Sequence, residues 1–147
     1  MNYARLLAPS LLLALAAFAR ADVLINEIMY HPSSENPAQE YIELYNSGAA
    51  PVTLTGWKFT NGVSFTFPVS SIAAGGYLAV AANSAAFTAK YPGVTNYVAG
   101  WTGQLSNSSN KITLTDPLLV KVDEVVLASA RLSISAQVAS LVIPWCS

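Results

Sequence analysis

Cysteine and histidine each occur once in the 147-residue chain, as Cys146 and His31. Single copies exclude disulfide frameworks, Cys/His zinc clusters, Cys–His nucleophile pairs and the paired histidines of helical metal motifs. Charge is scarce too. Seven basic side chains stand against eight acidic ones, and charged residues make up 10% of the chain, where an ordinary soluble domain has about 25%. The formal net charge of −1 gives nucleic acid and anionic membrane no broad electrostatic footprint. Gly-x-Ser-x-Gly elbows, phosphate loops and Asp-rich calcium loops are absent from the sequence, which removes the commonest local signatures of hydrolases, nucleotide binders and EF-hand-like sites.

What is present begins with MNYARLLAPSLLLALAAFARA, residues 1–21. Arg5, an apolar run from Leu6 to Phe18 and the small-x-small triplet Ala19-Arg20-Ala21 follow the order of a secretory signal peptide, with cleavage expected before Asp22. The run is shorter than the ~20 residues that cross a bilayer, so the chain is expected to be exported without a transmembrane anchor. Cleavage would remove Arg5 and Arg20 and no acid, leaving five basic and eight acidic residues, a charge of −3. Much of the apolar excess leaves with this segment, while the scarcity of charge remains.

From Val23 onward, short β-branched and aromatic runs alternate with turn residues, the pattern of an all-β sandwich. Strands are expected at Val23 to Tyr30, Tyr41 to Asn46, Tyr77 to Ala81, Tyr97 to Trp101, Lys111 to Thr115 and Val120 to Leu127. In YIELYN (41–46), Ile42 and Leu44 are expected on one face and Tyr41, Glu43 and Tyr45 on the other, as in a half-buried strand. Between Gly56 and Phe67, a hairpin with a three-residue loop, Thr60-Asn61-Gly62, would pair Phe59 with Val63 and Trp57 with Phe65. Gly62 is then left-handed and all the large side chains share one face. Asn83 or Ser84 can cap a short helix from Ala85 to Lys90 that ends before Pro92-Gly93.

The order LINEIMYHP, EYIELYN, LTGW, hairpin, IAAGGYLAVAANSAAF and LSNSSNKITLTD resembles the lamin tail domain of secreted bacterial proteins, over roughly Val23 to Val126. The resemblance implies an all-β, immunoglobulin-like sandwich of short antiparallel strands over residues 22–127. It also implies a non-catalytic module, often one unit of a larger exported protein, that binds or adheres. Residues 128–147 leave the pattern: Trp145 follows Pro144, and Cys146 would be an unpaired thiol after export. A shifted frame or shortened end, a divergent closing strand and an apolar sorting tail are the alternatives, of which an altered end is favoured.

No residue is assigned a catalytic, cofactor-binding or metal-binding role, and no cofactor is expected. Glu27, Glu40 and Glu43 could bring carboxylates together for calcium; the plainer alternative is a solvated face with one structural hydrogen bond. Lys58, Lys90, Lys111, Lys121 and Arg131 are scattered along the chain, a poor basis for nucleic-acid binding. His31 reads as a loop residue. Tyr41, Tyr45, Tyr97 and Trp101 are expected to be exposed and could stack on sugar rings. The expected role is attachment to a protein or cell surface, with a carbohydrate-binding accessory module as the alternative and polysaccharide as its ligand.

Overall fold

The computed structural model describes residues 23–105 and 110–127. The expected signal segment and the off-pattern tail lie outside the described residues. Eleven strands are described: β1 (Val23–Met29), β2 (Tyr41–Asn46), β3 (Val52–Thr53), β4 (Lys58–Asn61), β5 (Val63–Thr66), β6 (Ser71–Ile72), β7 (Tyr77–Ala81), β8 (Tyr97–Ala99), β9 (Thr102–Gly103), β10 (Asn110–Thr115) and β11 (Lys121–Leu127). A 3-10 turn, Pro37–Gln39, and one helix, α1 (Ser84–Lys90), complete them. A four-stranded sheet runs β1-β2-β7-β8, a five-stranded sheet β11-β10-β4-β5-β9, and β3 pairs with β6 as a two-stranded ribbon. Neighbouring strands are antiparallel except β7 and β8, which run parallel. This is an all-β, immunoglobulin-like sandwich.

The core lies between the two larger sheets. Ile25, Ile42, Leu44, Leu78 and Val80 of one sheet share it with Phe59, Phe65, Ile112 and Leu114 of the other. Phe67, just past β5, packs against Phe59 and Phe65 with ring centroids 5.4 and 5.0 Å away, within the range in which tilted and edge-on aromatic pairs are favourable. Trp57, Leu54 and Ile72 extend the same cluster.

The aromatic hairpin keeps its expected faces in a different register. Phe59 lies opposite Phe65 and Lys58 opposite Thr66, while the Trp57 carbonyl accepts from the Phe67 amide. The pairing is displaced by two residues from the expected one, an even shift that leaves Trp57, Phe59, Phe65 and Phe67 together. The tip residues are drawn outward instead of pairing with each other. Asn61 pairs with Thr113 and donates its Nδ2 to the Thr113 hydroxyl at 3.2 Å, and Val63 pairs with Gly103 of β9. Gly62 has φ +78°, the left-handed conformation expected.

The expected half-burial of β2 is also corrected. Tyr41 and Glu43, on its outer face, are as buried as Ile42 and Leu44. For Tyr41 the cause is α1, which begins with Asn83 accepting the Ala86 amide at 3.0 Å and folds back over the outer face of the sheet. Phe87 there packs with Tyr41, Ala79 and Ala81 as a second small core.

The edges of the two sheets meet at β1 and β11. A bulge interrupts β1 between Ile25 and Glu27, and the Ile25 amide donates to Asp123 Oδ2 of β11 at 2.7 Å. Asp123 therefore fastens one sheet to the other. The same contact occupies part of an edge that could otherwise recruit a strand.

Candidate functional site

The outer face of the four-stranded sheet carries most of the residues singled out from the sequence. Strand register builds it in rows. Leu24, Tyr45 and Tyr77 form one; Glu27, Glu43, Ala79 and Tyr97 the next; Met29, Tyr41, Ala81 and Ala99 the third. Helix α1 covers the third row and part of the second.

Glu27 and Glu43 are therefore cross-strand neighbours, a like-charge juxtaposition that is unfavourable unless the carboxylates have donors. Both have them. The Tyr41 hydroxyl donates to Glu27 Oε1 at 2.6 Å, and Asn26 Nδ2 donates to Glu43 Oε1 at 2.8 Å. Burial raises the Glu43 pKa above the ordinary carboxylate range; the Asn26 hydrogen bond opposes this and the charge of Glu27 adds to it. Glu40 does not join the pair. Three residues before Glu43, it falls on the opposite side of the chain, because side chains alternate along an extended strand. Its Oε2 accepts the buried Leu105 amide at 3.0 Å, and its own carbonyl accepts the Ala82 amide. Burial raises the Glu40 pKa, and the Leu105 hydrogen bond opposes the rise. Among the described residues, no three Asp, Glu, His or Cys side chains come together.

The expected aromatic platform is largely dismantled by packing. Tyr41 and Trp101 are buried rather than exposed, the first under Phe87 and Tyr91 and the second in the main core. Tyr97 is half-buried; its ring lies 5.0 Å from Phe87 and its hydroxyl is 2.8 Å from that of Ser84. Tyr45 remains half-buried, and Tyr77, which sequence reasoning had not selected, stacks on it at 4.7 Å with 29° between the planes. Beside Tyr77 an open cleft of about 350 Å³ is lined by Ala79, Gly93, Val94, Thr95 and Asn96. Asn96 donates its side-chain amide to the Tyr77 carbonyl, holding that wall.

His31 lies in the exposed loop after β1, its ring 6.5 Å from that of Tyr30. Lysines that look scattered in sequence are regrouped by folding, because Lys58, Lys111 and Lys121 fall on three adjacent strands of the five-stranded sheet. Glu124 takes up part of that charge, 3.2 Å from Lys111 and 3.5 Å from Lys121. Lys90 is separate, on α1, and donates to Gln39 at 3.1 Å. Arg131 lies outside the described residues.

Asp116 and Asp123 differ in how far their roles are legible in the sequence. Asp116 Oδ1 accepts the amides of Leu118 and Val120, each at 2.9 Å, and thereby shapes the β10–β11 turn. Asp-Pro marks a turn there, whereas the sheet-joining bond of Asp123 depends on a partner 98 positions away and has no local signal.

Fold and side-chain arrangement thus define an immunoglobulin-like β-sandwich module most of whose described acidic groups are tied into its own structure. The sequence matches the lamin tail domain family over residues 16–131, well over half of the chain, and the protein belongs to that family. No curated protein matches it. The match extends a few residues past both ends of the Val23 to Val126 motif stretch and stops short of Pro144, Trp145 and Cys146.

Proposed function

We propose that this lamin tail domain protein is an exported, non-catalytic attachment module that binds a protein or cell surface. The observation that carries the reading is the use of its carboxylates. Glu27, Glu40, Glu43, Asp116 and Asp123 each accept a hydrogen bond from the chain itself, so the groups from which acid–base chemistry would be built are engaged in holding strands and turns. Leu118, Leu119 and Val120, by contrast, are left exposed side by side, and contiguous exposed apolar groups are the usual material of a contact surface. Export is supported by the signal-like order of residues 1–21. No described helix is long and apolar enough to cross a membrane.

The test is sedimentation of the purified protein with isolated bacterial cell envelopes. Saturable co-sedimentation is expected; full recovery in the supernatant contradicts the reading.

A carbohydrate-binding accessory role is the second reading, favoured by the Tyr45–Tyr77 stack beside the cleft with Asn96. A glycan array with the parent and Tyr77→Ala separates the two. Polysaccharide signal lost in the variant supports the second reading, and no signal in the parent removes it.

A further inference from the structure

The end of the sandwich at the β10–β11 turn leaves apolar side chains exposed. Leu118, Leu119 and Val120 are 83%, 59% and 59% exposed, and Val69 is 91% exposed. Register puts them at one end: Thr115 pairs with Lys58 and Lys58 with Thr66, and both the turn and the Pro68-Val69 segment follow directly from those positions. A Cβ on Gly56, next to Trp57, would stand 3.6 Å from the Pro117 ring, so the turn rests on that same end.

Leu119 has φ +64°, a region that an L-residue with a bulky side chain rarely adopts. The turn is held there by the two bonds to Asp116 Oδ1 and by two backbone bonds, from Asp116 N to Val120 O and from Leu119 N to Asp116 O, both 3.0 Å. Glycine or asparagine would fit this conformation with less strain. The sequence instead places a leucine there, between two further apolar residues, and fixes the turn so that they project into solvent. Immediately beneath, Lys58 and Lys121 occupy the same cross-strand row on either side of Thr115, and Lys111 lies farther along the same sheet. Of the nearby carboxylates, Asp116 is turned into the turn amides and Glu124 faces Lys111 and Lys121.

We infer that this end inserts Leu118, Leu119 and Val120 into the surface of a phospholipid bilayer, with Lys58 and Lys121 meeting the phosphate headgroups. Shape and size favour lipid over a second copy of the chain. The tip offers three consecutive aliphatic residues, far fewer than the ~20–30 residues per side of a stable protein interface. Apolar groups at the leading end with lysines behind them match the layering of a bilayer interface, where alkyl stems lie against apolar surface and ammonium groups remain at the headgroups. The inference rests on the attachment reading and names its partner.

The test uses the whole chain carrying Cys146→Ser, with a polarity-sensitive thiol label at Leu118→Cys or, as control, at exposed Thr60→Cys near the opposite end. Vesicles are phosphatidylcholine alone or mixed with phosphatidylglycerol. Because the apolar run Leu6 to Phe18 can itself bind vesicles, the readout is the emission of the label at 118, compared with that at 60, in addition to total binding. A blue shift at 118 and none at 60 is expected. Leu119→Gly, which suits the turn conformation and so preserves the fold, should weaken the 118-site partition about tenfold. Lys58→Gln and Lys121→Gln should weaken it roughly fivefold each on the anionic vesicles. An unshifted label at 118, or a shift that grows with protein concentration in the absence of vesicles, overturns the inference, the latter indicating a second copy. Envelope binding that persists without the shift at 118 leaves the attachment reading standing and removes lipid insertion alone.

Discussion

At the scale of single residues, Glu40 and Glu43 show how a sandwich with few charges uses those it has. Glu40 is the acceptor for the buried Leu105 amide. Glu40→Ala would leave that donor without a partner, at a cost of about 1–3 kcal/mol, whereas Glu40→Gln keeps an acceptor; urea melts of the two variants should differ by that margin. Both carboxyls have raised pKa values caused first by burial. In this direction the folded state holds its protons more tightly than the unfolded chain. Their contribution is therefore complete below the unfolded Glu pKa, about 4.3, and is lost as pH rises through the raised folded values. Thermal melts should show stability falling over that window. Glu43→Gln should flatten the fall, since the neutral amide still offers an oxygen to Asn26 and is not repelled by Glu27. A fall that is unchanged in Glu43→Gln would place its origin elsewhere. The sequence identified Glu27, Glu40 and Glu43 as notable. It could not tell that strand alternation separates Glu40 from the other two, because the donors Leu105, Asn26 and Tyr41 come from three different parts of the fold.

At the scale of elements, β2 and β7 have the bounds expected for them, and α1 has the Asn83 cap and the Lys90 end that local chemistry specifies. The two-residue strands β3, β6 and β9 carried no pattern of their own, since pairing with distant segments is all that makes them strands. The aromatic hairpin falls between these cases. Its faces were legible from the spacing of Trp57, Phe59, Phe65 and Phe67, but its register was not, because β10 and β9 hold the tip residues. The left-handed Gly62 was legible from turn chemistry, and it leads to a prediction. With φ +78° at this position, Gly62→Ala should destabilise the protein by roughly 1–2 kcal/mol while leaving the β-sheet circular-dichroism signal intact.

At the scale of the whole molecule, two sheets are joined by the core and by the Asp123 bond to the Ile25 amide across facing edges. Asp123→Ala should lower stability by about 1.5–3 kcal/mol, the range for hydrogen bonds to charged groups. It should also expose the β1 edge, so that aggregation rises in light scattering at temperatures below the melt. Lamin tail domain membership and the sandwich agree with what the motif order implied, whereas the ligand leaves no comparable trace in a single sequence. Surfaces such as the exposed Leu118–Val120 turn or the cleft beside Tyr77 depend on which loops share an end or a face, and that arrangement exists only after folding.

If most of the acidic side chains hold this sandwich together, its attachment to a partner falls to other surfaces. The most direct measurement is envelope co-sedimentation of the parent and Glu43→Gln side by side. Saturable binding with the same affinity is expected for both. Absence of binding by the parent, or loss of binding by a Glu43→Gln protein that melts like the parent, would contradict it and make the Glu27–Glu43 pair a functional site.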